Sequence, residues 1–298
     1  MLISKLQYRV IFIAAILGLI ALGLLYRSYP DVPYRFAHGY GTSEPNDGSA
    51  TEEKPAAQKS WLYAGPKAQD KAVIMARIHT EDVLWAYEHL SDWKLGIYHM
   101  DNETENGLHP PRNKGREAMA YLSFIIDHYE NLPAYMVFVH PHLKGWPEAW
   151  HTDSDDHDQV KSIQSLRLEY LDKHGYANMR CIHDPGCPAE IQVDRQDDHR
   201  TAEHAMREAW PYMFGGNYSD IPKKIAQPCC SQFAISKAQT LERPKSDYEL
   251  YQKWLLETPH DDATSGRVFE YLWQVIFGQG AVYCPSLRQC WCEQFGRC

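Results

Sequence analysis

A run of 17 residues without a charge, Val10 to Tyr26 (VIFIAAILGLIALGLLY), sits near the start of the chain and restricts everything after it. Its length is at the short end of what spans a bilayer. Lys5 and Arg9 precede the run and Arg27 follows it, so the positive charge is weighted modestly to the N-terminal side and orients that side to the cytosol. A cleaved signal peptide is the competing reading, with Ala21 and Gly23 as small residues for the cleavage site. Both readings send the remaining chain into the secretory pathway. The expectation is a single-pass membrane protein held by one N-terminal helix. Residues 1–27 form a cytosolic tip and signal-anchor, residues 28–70 a flexible stem rich in Pro, Gly, Ser, Glu and Lys, and residues 71–298 a domain in the lumen or outside the cell.

Cysteine placement agrees with that side. Cys181, Cys187, Cys229, Cys230, Cys284, Cys290, Cys292 and Cys298 all follow residue 180, an even number suited to disulfides in an oxidising compartment. Cys181 and Cys187 are spaced to close a short loop around Asp184-Pro185-Gly186, and the last four cysteines to knot the C-terminal tail. A bond between the adjacent Cys229 and Cys230 would be strained, so each is expected to reach a distant partner. A four-cysteine zinc site in the tail is the alternative, although its spacings miss the paired CxxC pattern. Asn102-Glu103-Thr104 and Asn217-Tyr218-Ser219 are candidate glycosylation sites. The net charge of −9 argues against a nucleic-acid partner, which requires a basic face.

From Lys71 the pattern changes to alternating strands and helices. Ala72–Arg77, Lys94–His99 and Tyr135–Val139 read as strands, with a helix capped by Thr80 after the first. Ala118, Tyr121, Leu122, Ile125, Ile126 and Tyr129 recur at helical spacing. Further helices are expected at about 157–174, 198–209, 246–257 and 265–277. Such alternation predicts a mostly parallel sheet covered by helices on both faces.

Three segments carry candidate chemistry. His140-Pro141-His142 follows the most apolar strand, where α/β sheets bind ligands, and His151 and Asp153 follow within one loop. Together the four offer a mixed nitrogen and oxygen shell for zinc or manganese, against the plainer reading of a polar surface loop. Asn113-Lys114-Gly115-Arg116-Glu117 opens the amphipathic helix with a glycine, free backbone donors and two cations, a seat for a phosphate or simply a helix start. Glu270, at the margin of an apolar helical face, is either a general base with a raised pKa or a structural partner of Arg267.

Read in order, VIMARIHTEDVLWAYEHL, NKGREAMAYLSFIIDHYENLP, VFVHPH with WHTDSDDHD, GYANMRCIHDPGCPAEI, CCSQFAISK and SGRVFEYLWQVIFG resemble a largely fungal family, domain of unknown function 3431. A second resemblance is to GT-A glycosyltransferases, whose Rossmann-like sheet binds nucleotide sugars. It implies transfer of a sugar from a nucleotide donor to a hydroxyl acceptor, with a divalent metal. Glu81 or Asp82 looks like the acidic residue that touches the base, and Asn113, Gly115, Arg116 and Glu117 resemble an NxGRD donor segment. Ser231 and Gln232 lie in the acceptor-side segment, and Glu270 stands where the catalytic acid lies. The DxD metal motif of that group is absent, and His140-Pro141-His142 stands in its place. A lumenal module that binds carbohydrate or protein without catalysis is the alternative.

Overall fold

The computed structural model describes residues 62–101 and 107–298. The expected anchor, residues 28–61 of the expected stem and the Asn102 sequon lie outside these residues, whereas Tyr63 and Ala64, also expected in the stem, pair with Leu95 and Lys94 at the edge of the sheet. Among the described residues no helix is long and apolar enough to cross a membrane.

Six strands form one mixed sheet in the order β1-β3-β2-β4-β6-β5. They are β1 (Tyr63–Ala64), β2 (Lys71–Arg77), β3 (Lys94–His99), β4 (Tyr135–Val139), β5 (Tyr176–Asn178) and β6 (Phe233–Ser236). β2 runs parallel to β3 and β4, whereas β1, β6 and β5 join antiparallel. The parallel centre is therefore as expected, and the antiparallel margins are what the alternation missed. β5 and β6 are too short to carry a readable period.

The central strands are buried on both faces, so they read as continuous apolar runs. Alternate residues still part company: Ala72, Ile74, Met136 and Phe138 enter one core, while Val73, Met75, Val137 and Val139 enter the other. Helices α1 (Leu84–His89), α2 (Glu117–Asp127), α3 (Gln159–Ser165), α4 (Leu168–His174), α5 (Thr201–Phe214), α6 (Lys237–Leu241), α7 (Lys245–Glu257), α8 (Asp262–Glu270) and α9 (Trp273–Ile276) cover the two sides. α2 is buried almost all round because it packs between β2 and α7.

Three helix expectations need correction. α1 starts at Leu84 and is not capped by Thr80 with Glu81 and Asp82 in its first turn, because Glu81 instead accepts the Ile78 N–H at 2.8 Å and Asp82 accepts that of Leu84 at 2.9 Å. The helix expected over 157–174 breaks into α3 and α4, where Leu166 and Arg167 turn extended. The one expected over 265–277 breaks between α8 and α9.

The disulfides also differ from expectation. Cys181 pairs with Cys290 and Cys187 with Cys284, so the tail is tied to the body of the domain and neither a short loop nor a separate knot forms. With Cys284 and Cys290 engaged, the four-cysteine zinc site is excluded. Cys229 pairs with Cys230 after all, at a sharp turn into β6 where Cys230 and Ser231 take φ values of 91° and 52°. Cys292 and Cys298 are free thiols hydrogen-bonded to each other, which raises the Cys292 pKa. Asn217 is exposed and caps the turn Tyr218–Asp220.

Candidate functional site

The carboxyl ends of β2 and β4 open on a cleft of about 810 Å³. Glu81 reaches it from the loop after β2, and His140, His142 and His151 from the long loop after β4. Asn113 and Arg116 come from the start of α2, and Glu270 from the end of α8. Seven of the expected site residues therefore meet, although they span 190 positions of sequence from Glu81 to Glu270. Asp82, Gly115, Asp153, Ser231 and Gln232 do not line the cleft.

His140 and His142 are held by different contacts, and His151 by burial. A carbonyl oxygen only accepts, so the 2.8 Å contact to the Cys230 carbonyl places a His140 proton on Nε2, and in the neutral ring Nδ1 is then an acceptor. The Nε2 of His142 lies 3.2 Å from Glu81 Oε1, and its Nδ1 is buried without a partner. His151 is 6% exposed, and its Nε2 is likewise buried and unpartnered. Burial first, then the neighbouring His140, His142 and Arg180 charges, push the His151 pKa down to about 2, so this ring is neutral with a lone pair to offer. Burial raises the Glu81 pKa, but hydrogen bonds from His142 and the Ile78 N–H outweigh it and leave the carboxylate below its usual range.

The ring centres of His140 and His151 are 4.3 Å apart, of His142 and His151 5.6 Å, and of His140 and His142 6.2 Å. Fixing one imidazole nitrogen with an acceptor while freeing the other is how metal-ligating histidines are set. Three imidazoles are a donor type that suits a borderline divalent ion, but as oriented no choice of one nitrogen from each ring falls within 4.8 Å of the others. Asp153 is not part of the set. Its Oδ2 accepts the Cys181 and Ile182 N–H groups at 2.8 and 2.7 Å, and Arg180 Nε lies 3.8 Å from Oδ1.

The opposite wall depends on two glycines. Gly115 has φ 65°, and a Cβ there would lie 2.5 Å from Leu255; a Cβ on Gly266 would lie 3.0 Å from the Gly115 carbonyl. Only bare backbone lets α8 pack this close to the start of α2. Gly115 therefore serves packing and not ligand contact, and its N–H is accepted by Asp262 at 3.0 Å. This contact sets Arg116 beside Arg267 and Glu270. Arg116 is exposed, carries φ 55°, and makes no hydrogen bond or ion pair among the described residues.

Glu270 Oε1 accepts the Cys230 N–H at 2.7 Å, Oε2 lies 3.8 Å from Arg267 Nε, and the side chain is 15% exposed. Burial raises its pKa most, against the Cys230 N–H and Arg267, and with Glu117 and Glu190 adding to the rise it reaches about 7. A group so placed exchanges a proton at neutral pH. Beneath the cleft, Gln232 is a clamp: its Oε1 accepts the His140 N–H at 3.1 Å and its Nε2 reaches the His151 carbonyl at 3.4 Å. Ser231 is buried beside it.

Sequence reasoning missed the wall built by Glu190 and Arg200, which pair at 2.7 Å, and the N-terminus of α5 that opens beside them. No motif marks them, since their partners come from other elements.

These features define an α/β domain with a polar cleft at the carboxyl ends of parallel strands, the end at which such sheets bind ligands. The chain belongs to the family described as Protein of unknown function (DUF3431), which matches residues 73–293. No curated protein and no solved structure matches it.

Proposed function

We propose that this protein is a lumenal, membrane-anchored glycosyltransferase-like enzyme that moves a sugar from a nucleotide donor to a hydroxyl acceptor. The observation that carries this reading is a convergence in one cleft. An unpaired arginine, Arg116, stands at the N-terminus of one helix, the N-terminus of a second lies nearby, and buried imidazole nitrogens lack partners. Helix N-termini and free guanidinium groups suit a diphosphate.

In this reading Arg116 and the first N–H groups of α2 hold the diphosphate, with Asn113 at the same rim. His140, His142 and His151 would hold a divalent ion, manganese or zinc, whose charge offsets that of the phosphates among the cleft's many carboxylates. Glu81 orients His142. Glu270 takes the proton of the acceptor hydroxyl as its oxygen bonds the anomeric carbon and the bond to the diphosphate breaks.

The full chain should be screened against nucleotide sugars with and without manganese. A true donor at a hundred times its Kd raises stability by about 2.7 kcal/mol. Absence of any donor effect in both conditions would sink the proposal.

A second reading is a carbohydrate- or protein-binding module without catalysis. It is favoured by Trp146, 75% exposed, and Trp150, 36% exposed, on the loop beside the cleft. Exposed indole faces suit sugar rings as well as protein surfaces. Stabilisation by glycans alone, with no response to nucleotide sugars, would select this reading.

A further inference from the structure

The Cys229–Cys230 disulfide differs in setting from the buried Cys181–Cys290 pair. Cys181 and Cys290 are 1% and 3% exposed, whereas Cys230 is part-exposed and lines the cleft. Both sulphurs of the vicinal pair lie within 4.8 Å of a Glu270 carboxylate oxygen, and among the described residues this is the set of three metal-ligating side chains that closes to such a distance. Arg180 Nη1 stands 3.9 Å from Cys230 Sγ, a cation placed to favour a thiolate there. Cys230 and Ser231 both occupy the left-handed region, which costs a non-glycine residue energy. Joined to each other, the sulphurs offer no charge. Parted, they supply two soft anionic donors beside one hard one.

We propose that Cys229, Cys230 and Glu270 form a redox-conditional site for a thiophilic divalent cation of the zinc and cadmium class. Two molecules of a small thiol reductant supply two electrons and two protons to the S–S bond, and are themselves joined as a disulfide. The cation then displaces the two thiol protons and is held by two sulphurs and one carboxylate oxygen. Loading engages the Glu270 carboxylate, so only the metal-free forms present it to the cleft. The site does not depend on the transferase reading.

The test uses the full chain carrying Cys292→Ser and Cys298→Ser, which removes the other thiol pair. After a limited amount of phosphine reductant, one aliquot is alkylated and mass-mapped, and a second, left unalkylated, is titrated with cadmium alone. Thiolate-to-cadmium charge-transfer absorption reports sulphur ligands and ignores the histidines. Cys229 and Cys230 should be alkylated while Cys181–Cys290 and Cys187–Cys284 stay closed, and one equivalent of cadmium should develop the band. Cys230→Ser should abolish the one-equivalent complex, and Glu270→Gln, which keeps both cysteines, should weaken it at least about tenfold. The proposal is overturned if the vicinal pair opens only together with the buried disulfide, or if the band persists in Cys230→Ser. Unchanged affinity in Glu270→Gln overturns it as well. Since no nucleotide sugar takes part, failure here is distinct from failure of the transferase reading.

Discussion

Glu270 is a residue whose burial has a measurable cost. Its pKa is raised from 4.5 to about 7 in the fold, mainly by burial. Below pH 4.5 the group is protonated in both states. As pH rises through 4.5 to 7 the unfolded chain loses the proton while the fold keeps it, so stability falls, by on the order of 3 kcal/mol once both forms are ionised. Glu270→Gln is neutral throughout and its amide oxygen still accepts the Cys230 N–H. The variant should therefore melt above the parent at pH 8 and alongside it at pH 4. If Glu270 is the base, the same change cuts turnover by roughly a hundredfold and spares donor binding. Arg116→Ala and His142→Ala should behave in the opposite way, weakening nucleotide-sugar binding by at least about 1 kcal/mol, the scale of a lost charge-assisted contact. Arg116 is exposed and unpaired, so its variant should keep the parent's melting temperature. Full donor affinity in both would remove them from the site.

At the scale of elements, the cleft exists because α8 lies against the first turn of α2. Neither helix alone carries that instruction. It lies in Gly115 and Gly266, which the sequence places 151 positions apart and the fold brings into contact. Gly115→Ala combines a left-handed backbone with a 2.5 Å approach to Leu255. A loss of about 2 kcal/mol or more in denaturant unfolding is expected, with weaker donor binding as α8 shifts. A variant as stable as the parent would mean that the two helices do not rely on this contact. The sequence made α2, β2, β3 and β4 legible because each repeats its period several times. It misjudged the segment after β2 because Glu81 is claimed by Ile78 and His142 in place of a helix cap.

For the whole molecule, the disulfide map is the direct check. Non-reducing mass mapping should recover Cys181–Cys290, Cys187–Cys284 and Cys229–Cys230, with Cys292 and Cys298 as thiols. Cys181–Cys290 joins positions 109 apart and closes a loop long enough to remove much of the unfolded chain's freedom. Replacing both with serine should cost roughly 2–5 kcal/mol. Topology is a separate expectation, drawn from Val10 to Tyr26. In sealed microsomes the 71–298 domain should resist added protease, and digestion from the cytosolic side would reverse the orientation.

The sequence by itself determined the parallel heart of the sheet, its covering by helices, and seven of the polar residues that meet in the cleft. Apolar periodicity and the position of polar groups just after a strand are local signals, and they survive without any knowledge of distant neighbours. Only the tertiary structure decided how those residues are used. Asp153 turned to the Cys181 and Ile182 N–H groups, Gln232 became a clamp under two histidines, and Gly115 became a packing surface. It also chose the cysteine partners, since spacing along the chain says little about which sulphurs the antiparallel return through β5 and β6 will bring together. A side chain's type limits what it can bond, but its partner is set by which backbone donors and acceptors folding leaves unsatisfied nearby.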